Sequence, residues 1–207
     1  MLKNIVLGIA CATLLLGASE TKTTEETAET ETWRALFDGE TTEGWEAVGR
    51  AEWTVEDGVL IGRQGNRHRG GDLLTTETFG DFELEVVYRV NWPANSGIWF
   101  RYQTPNKAYQ ADILEYADPE AYSGTLYSPG KLFLAINEDP DLDQQDGWNT
   151  LRIHCQGDRL QIWLNGKQTA DVTDPDQADG HLGIQVHSGE EFDDMRIEVK
   201  EVKVRGA

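Results

Sequence analysis

Three short segments of this chain set polar side chains at every second position. Between Gly97 and Gln103, Trp99, Arg101 and Gln103 alternate with Ile98, Phe100 and Tyr102. Between Tyr109 and Glu115, Gln110 and Asp112 alternate with Ala111 and Ile113. Between His181 and His187, the polar positions are His181, Gln185 and His187, and the apolar ones Leu182, Ile184 and Val186. A period of two belongs to a β-strand, whose successive side chains point to opposite faces of its sheet. If these strands are neighbours, one outer face carries an indole, a guanidinium, imidazoles, amides and a carboxylate. That set suits a sugar, whose ring face stacks on an aromatic while its hydroxyls take directional hydrogen bonds. Asn95, in the turn that delivers the strand of Arg101, is a further ligand-binding candidate. His68, in the Gly- and Arg-rich loop RQGNRHRGGD, is a candidate for the border of the cleft. An ordinary polar outer face would show the same alternation.

The rest of the domain repeats this period. Phe82, Leu84, Val86, Tyr88 and Val90 alternate with mostly polar partners, as do Leu151, Ile153 and Cys155. Asp57-Gly58, Gly157-Asp158 and Asn165-Gly166 each separate two such runs and read as tight hairpin turns. Met195 to Val204 is a further strand candidate. No segment after Trp33 carries a helical stripe, and about a dozen short strands at regular spacing imply an all-β, two-sheet antiparallel jelly-roll sandwich.

Composition narrows the ligand. The 207 residues include 18 Lys and Arg against 37 Asp and Glu, a formal net charge of −19. Nucleic-acid binding rests on cations that displace counterions from phosphates, so this balance argues against nucleic acids and polyanions. Neutral ligands such as sugars, or bound cations, are favoured. Asp139, Asp141 and Asp143 have the spacing of a calcium loop, but Gln144 replaces its Gly and Thr150 its final Glu, so a solvated acidic loop is expected. Cys155 alternates with core positions and reads as a small buried apolar group. There is no phosphate loop, no zinc-spaced cysteine set and no Ser-His-Asp motif.

Residues 1–19 carry Lys3, an apolar run from Ile5 to Leu16 too short to span a bilayer, and small residues at Gly17, Ala18 and Ser19. This is the form of a cleaved secretory signal, with lipoprotein processing at Cys11 as the less favoured alternative. Residues 20–32, almost entirely Thr, Glu and Ala, form a solvated acidic linker. A single domain then runs over 33–207. Cleavage would leave Cys155 as the sole cysteine, with no intrachain disulfide. The expected product is secreted or periplasmic, without a transmembrane span, and monomeric.

The ordered series LFDGETTEGW, WTVEDGVLIGR, LLTTETFGDFELEVVYR, NSGIWFR, YQADILE, SGTLY, GWNTLRI, LNGK, GHLGIQVHSG and MRIEVKEVKV resembles the bacterial 3-keto-disaccharide hydrolase family. The resemblance runs from about Leu36 to Val204. It implies the concanavalin A-like lectin/glucanase sandwich and action on glycosides oxidised to a 3-ketone, by hydrolysis or by elimination and hydration. This chain departs from the family in carrying Gln110 and Asp112 where a Glu and a Gln are usual. The same segment is similar to the Glu-x-Asp-x-x-Glu strand of laminarinase-like retaining hydrolases, with Gln110, Asp112 and Glu115 at its three positions. An amide at Gln110 is a poor nucleophile, which disfavours that retaining route.

A 3-keto sugar does not need that nucleophile. The ketone acidifies the hydrogen at C2, so a base can form an enolate and the C1 group can leave. Asp112, or less favourably Glu115, is the expected base; Arg101 or a divalent metal ion would hold the enolate, and His187 would move protons or bind that metal. Trp99, Gln103, Gln110, Asn95, Gln185 and His68 are the expected substrate contacts. A lectin-like module that keeps the fold without the chemistry is the alternative. The export expectation is tested by intact-mass analysis of secreted protein: the mature chain should begin close to Glu20, and a mass showing lipid on Cys11 would reject that site.

Overall fold

The computed structural model describes Met1 and residues 32–207. The signal and linker expectations, over residues 1–32, lie almost wholly outside the described residues. The described strands are β1 (Arg34–Ala35), β2 (Trp45–Gly49), β3 (Glu52–Glu56), β4 (Val59–Arg63), β5 (Gly71–Phe79), β6 (Phe82–Val90), β7 (Asn95–Thr104), β8 (Lys107–Ala117), β9 (Glu120–Tyr122), β10 (Leu126–Ser128), β11 (Leu132–Ala135), β12 (Asn149–Gln156), β13 (Arg159–Leu164), β14 (Lys167–Thr173), β15 (Gly180–Val186) and β16 (Arg196–Arg205). They form two antiparallel sheets. One has the order β14-β13-β12-β6-β16-β4-β3, and the other β11-β10-β8-β7-β15-β5-β2. The non-sequential neighbours within each sheet make this the jelly-roll sandwich expected from the strand pattern. Among the described residues a single short 3-10 turn, Glu190–Phe192, is the helical exception.

The hairpin signals act as their chemistry dictates. Asp57-Gly58 joins β3 to β4 with φ of 52° and 82°, and Asn165-Gly166 joins β13 to β14 with 50° and 83°. Two consecutive left-handed residues give the turn whose twist matches that of the strands, and Asn, Asp and Gly tolerate that conformation best. Between the sheets lies one core, filled by Leu84, Val86 and Tyr88 of β6, Ile98 and Phe100 of β7, Ala111 and Ile113 of β8, Ile153 and Cys155 of β12, and Ile184 of β15, all at 1% exposure or less. Burial pushes the Cys155 thiol up to about 12, so it packs as an apolar group.

Strict alternation fails in one consequential place. In the β7–β15 pairing, Trp99 to Tyr102 faces Gly183 to His181 with one residue more on β7, and Arg101 within that interval has a φ of 47°. The extra residue reverses the side-chain order. Tyr102, expected to point to the core, packs instead beside Trp99 on the outer face of the sheet, with ring centroids 5.6 Å apart. Arg101, expected on that outer face, is 1% exposed. Its Nε and Nη2 donate to the carbonyl of Gly80 at 3.0 and 2.9 Å, its Nη1 donates to Gln177 O at 3.0 Å, and Nη2 meets Asp81 at 3.3 Å. A buried guanidinium with its donors so used is a structural clamp. Arg101→Ala would strand two buried carbonyls and should lower stability by about 3 kcal/mol in urea denaturation.

Candidate functional site

On the outer face of the second sheet, four strands bring one row of residues together. Asp72 on β5 pairs with Gln185 on β15, Gln185 with Gly97 on β7, and Gly97 with Asp112 on β8. Three interstrand spacings separate the two carboxylates, about 14 Å between Cα atoms. A second row, two residues along the strands, runs Leu74, Gly183, Trp99, Gln110, Tyr127. Together these rows floor a cavity of ≈370 Å³, large enough for a sugar ring and part of its aglycone.

Gly97 shapes the floor. A Cβ there would lie 2.6 Å from Cδ and Cγ of Gln110, so the glycine lets the Gln110 side chain fold across the middle of the row. Gln110 is 4% exposed, and its buried Nε2 donor has no partner among the described residues. Such a group is costly unless a ligand oxygen accepts from it.

The two carboxylates differ in environment. Asp112 sits mid-sheet, its backbone N–H donating to Thr125 O at 2.9 Å and its carbonyl accepting from Gly124 at 2.8 Å. Its side chain is 3% exposed and opens on the cavity, and no hydrogen bond to its carboxyl occurs among the described residues. Burial alone raises its pKa well above the usual carboxylate range. Asp72 is raised by burial too, but the indole Nε1 of Trp99 donates to its Oδ1 at 2.8 Å and the charge of His187 opposes the shift. Each carboxylate has a phenol near it: burial and the adjacent charge raise Tyr102 beside Asp72 and Tyr127 beside Asp112.

One wall is apolar. Trp99, Tyr127, Phe133 and Tyr116 follow one another with ring centroids 6.3, 6.5 and 5.4 Å apart, and Leu132 closes the end. At the opposite end stand Asn95, Gln185 and His187. The Nδ1 of His187 donates to Ser188 O at 2.6 Å and its ring meets Phe192 edge-on, which leaves Nε2 as the working nitrogen.

Among the residues singled out from sequence, Asn95, Trp99, Gln110, Asp112, Gln185 and His187 line this cavity. Four do not. Arg101 is turned away by the bulge and clamps Gly80 and Gln177. Gln103 is exposed and donates to Asp179 O at 3.1 Å. Glu115 points off the cavity and accepts from Gln145 Nε2 at 2.8 Å. His68 is held by Asp193 at 2.7 Å in its own loop. The acidic loop also differs from expectation: Lys167 pairs with Asp139 at 2.6 Å, while Asp143 is largely buried and accepts from Asn149 and Tyr88. No group of three or more His, Cys, Asp or Glu placed to hold a metal ion occurs among the described residues.

Sequence reasoning missed Asp72, Tyr102, Tyr116, Tyr127 and Phe133. Asp72 had a usable signal, since it is a carboxylate near the start of a strand and alternates with Leu73. The β10 and β11 strands that carry Tyr127 and Phe133 are too short to show a period.

Comparison with known proteins places this geometry in a family. Residues 32–205 match the sequence profile of the 3-keto-alpha-glucoside-1,2-lyase-like domain. A segment of 111 residues, 48% of the chain, is 32% identical to a 3-keto-disaccharide hydrolase of Bacteroides thetaiotaomicron and spans 38% of that protein. A structure from Parabacteroides distasonis, named as a candidate glycosyl hydrolase, superposes with a TM-score of 0.66 at 18% identity over 85% of this chain and 100% of that one. The carbohydrate-binding module CBM66 of Bacillus subtilis gives 0.55 at 15% identity over 79% and 96%. At such identities the two structures speak for the sandwich fold alone. The profile match covers most of the chain, which therefore belongs to the 3-keto-alpha-glucoside-1,2-lyase-like domain family.

Proposed function

We propose that this protein is an enzyme that opens the glycosidic bond of 3-keto-glycosides by elimination, with hydration of the resulting enone. The observation that carries this reading is the carboxyl of Asp112, desolvated and without a hydrogen-bond partner among the described residues, at one end of the row and next to its glycine. An ordinary retaining hydrolase needs an ionised nucleophile about 5 Å from its acid. Here Gln110 offers an amide on the row beside Asp112. Elimination asks for something different: a base at C2, donors for the enolate oxygen, and a proton for the departing oxygen.

In that reaction the C2–H electron pair passes into an enolate at C2, C3 and the ketone oxygen. Its return forms the C1=C2 bond, breaks C1–O, and the departing oxygen takes a proton. Asp112, whose protonated form is favoured by burial, suits the last step. This gives it the acid's part in place of the base's part expected from sequence. The departing group then lies toward Tyr127, Phe133 and Tyr116. Gln110 Nε2, Asn95 and Gln185 supply the donors that Arg101 was expected to supply. No step is routed through a metal ion. The apolar run at 5–16 supports the further proposal that this chemistry takes place outside the cytoplasm.

Purified protein should consume methyl 3-keto-glucoside, followed by loss of substrate in NMR. Asp112→Asn should lower that turnover by about 100-fold while substrate affinity changes little. The same variant should be more stable than the wild type at neutral pH. A carboxyl whose folded pKa is raised favours the folded state when protonated, and this advantage is lost as pH rises from about 4 through the folded value. The variant's gain in melting temperature should therefore vanish near pH 4 and grow as pH increases. Binding without turnover of any keto-glycoside would reject the enzyme in favour of a lectin.

Gly97→Ala tests the floor. The backbone of Gly97 is compatible with alanine, and the atoms met by the new Cβ belong to a side chain that can swing into the cavity. Calorimetry should show sugar affinity reduced by about 10-fold or more, equivalent to about 1.4 kcal/mol, with a nearly unchanged melting temperature. Unaltered affinity would place the ligand elsewhere.

A further inference from the structure

We propose that Asp72 is the base that removes the C2 proton, with Trp99 as its positioning residue. The inference rests on the elimination reading above and assigns the part that reading leaves open. Asp72 shares the row of Asp112 across Gln185 and Gly97, so the two carboxyls flank the ring-sized gap over the glycine from opposite ends. The indole of Trp99 holds Oδ1 at 2.8 Å, which leaves Oδ2 to meet a substrate.

The environments separate their parts. Asp112 has no donor, so its neutral form is favoured. Asp72 has the indole N–H and, among its titratable neighbours, His187 favouring its ionised form; Tyr102 is the other such neighbour. Burial raises both carboxyls, but only Asp72 has groups that oppose the shift, so it is the more readily ionised of the two and takes the base's part while Asp112 takes the acid's. The apolar wall agrees with this orientation. Beyond Trp99, its rings Tyr127, Phe133 and Tyr116 stand on β10, β11 and β8, on the Asp112 side and away from Asp72, so an aglycone on that part of the wall puts the glycosidic oxygen near Asp112 and C2 toward Asp72.

The step balances. Asp72 takes the C2 proton, and the electron pair it leaves becomes the enolate. Collapse of the enolate expels the C1 oxygen, which receives the proton of Asp112. Solvent then returns a proton to Asp112 and removes one from Asp72.

Two substrates and one exchange reaction test this. Methyl 3-keto-glucoside has a poor leaving group and needs an acid; 4-nitrophenyl 3-keto-glucoside has a good one and does not. Exchange of the C2 hydrogen in deuterated water, read by NMR, reports the base alone. Asp72→Asn keeps the indole's acceptor and the size of the side chain. It should lose C2 exchange and turnover of both substrates by about 100-fold or more. Asp112→Asn should lose turnover of the methyl substrate but far less of the nitrophenyl one, and should keep exchange. In Trp99→Phe the carboxylate loses a donor, so the acidic limb of the kcat/KM profile should move to higher pH; a purely structural role would leave that limb in place.

Exchange that survives Asp72→Asn, or a nitrophenyl substrate that rescues it, would overturn the assignment while leaving the elimination reading intact. Wild-type protein that neither exchanges the C2 hydrogen nor consumes either substrate would overturn both.

Discussion

The cavity depends on one buried cation. Arg101 adopts a left-handed conformation and its guanidinium is satisfied by the carbonyls of Gly80 and Gln177 and the carboxylate of Asp81. For a non-glycine residue that conformation costs roughly 1–2 kcal/mol. It persists because removing the guanidinium from these partners would cost more. Its geometric effect is felt on the next residues. With one residue more on β7 than its pairing with β15 requires, Trp99 and Tyr102 come to the same face, where their rings meet edge to face. The indole thus reaches Asp72 two strands away, and the aromatic wall starts beside it. Without the bulge, Tyr102 would point into the core and an arginine would stand in the cavity.

That bulge also explains how much of the molecule could be read from the sequence. Alternation in β6, β8, β12 and β15 and the Asp-Gly and Asn-Gly turns are local properties, and they specify the sandwich and the outward positions of Gln110, Asp112 and Gln185. Arg101 was placed wrongly because a single residue at positive φ shifts the register, and an arginine carries no local sign of that conformation. Asp72 was passed over because Leu73 and Leu74 form a continuous apolar pair. Leu74 faces the cavity side but is covered by Trp99 and Tyr102, a contact between strands distant in sequence. Tyr127 and Phe133 belong to strands three and four residues long, and the pairing of β10 with β8 and of β11 with β10 decides their direction.

The rows of the sheet also set what the carboxylates can do. Side chains on one face of paired strands are neighbours, so a row of Asp, Gln, Gly and Asp spaces two acids across three strand intervals. Of the two positions between them, Gln185 and Gly97, the glycine leaves space beside Asp112. Gln110 occupies part of the gap with an unpartnered donor, so the floor is polar at its centre and apolar toward β10 and β11. A ligand with a polar ring and a departing group that tolerates aromatic contact matches this gradient.

The charge of the whole chain makes the local donors important. At −19 the protein does not repel a neutral keto-sugar, but it opposes the negative charge that an enolate places on the ketone oxygen. Long-range potential is weakened by salt and by distance, whereas a hydrogen bond inside a desolvated cavity is not. The enolate would therefore rely on groups within reach: the amides of Gln110, Gln185 and Asn95 and the imidazole of His187. Desolvation has two consequences of opposite value. It strengthens those donors, and it favours the protonated form of Asp112. It also disfavours the ionised carboxyl within the fold, so the feature that would make the row reactive lowers the stability of the sheet that carries it as pH rises.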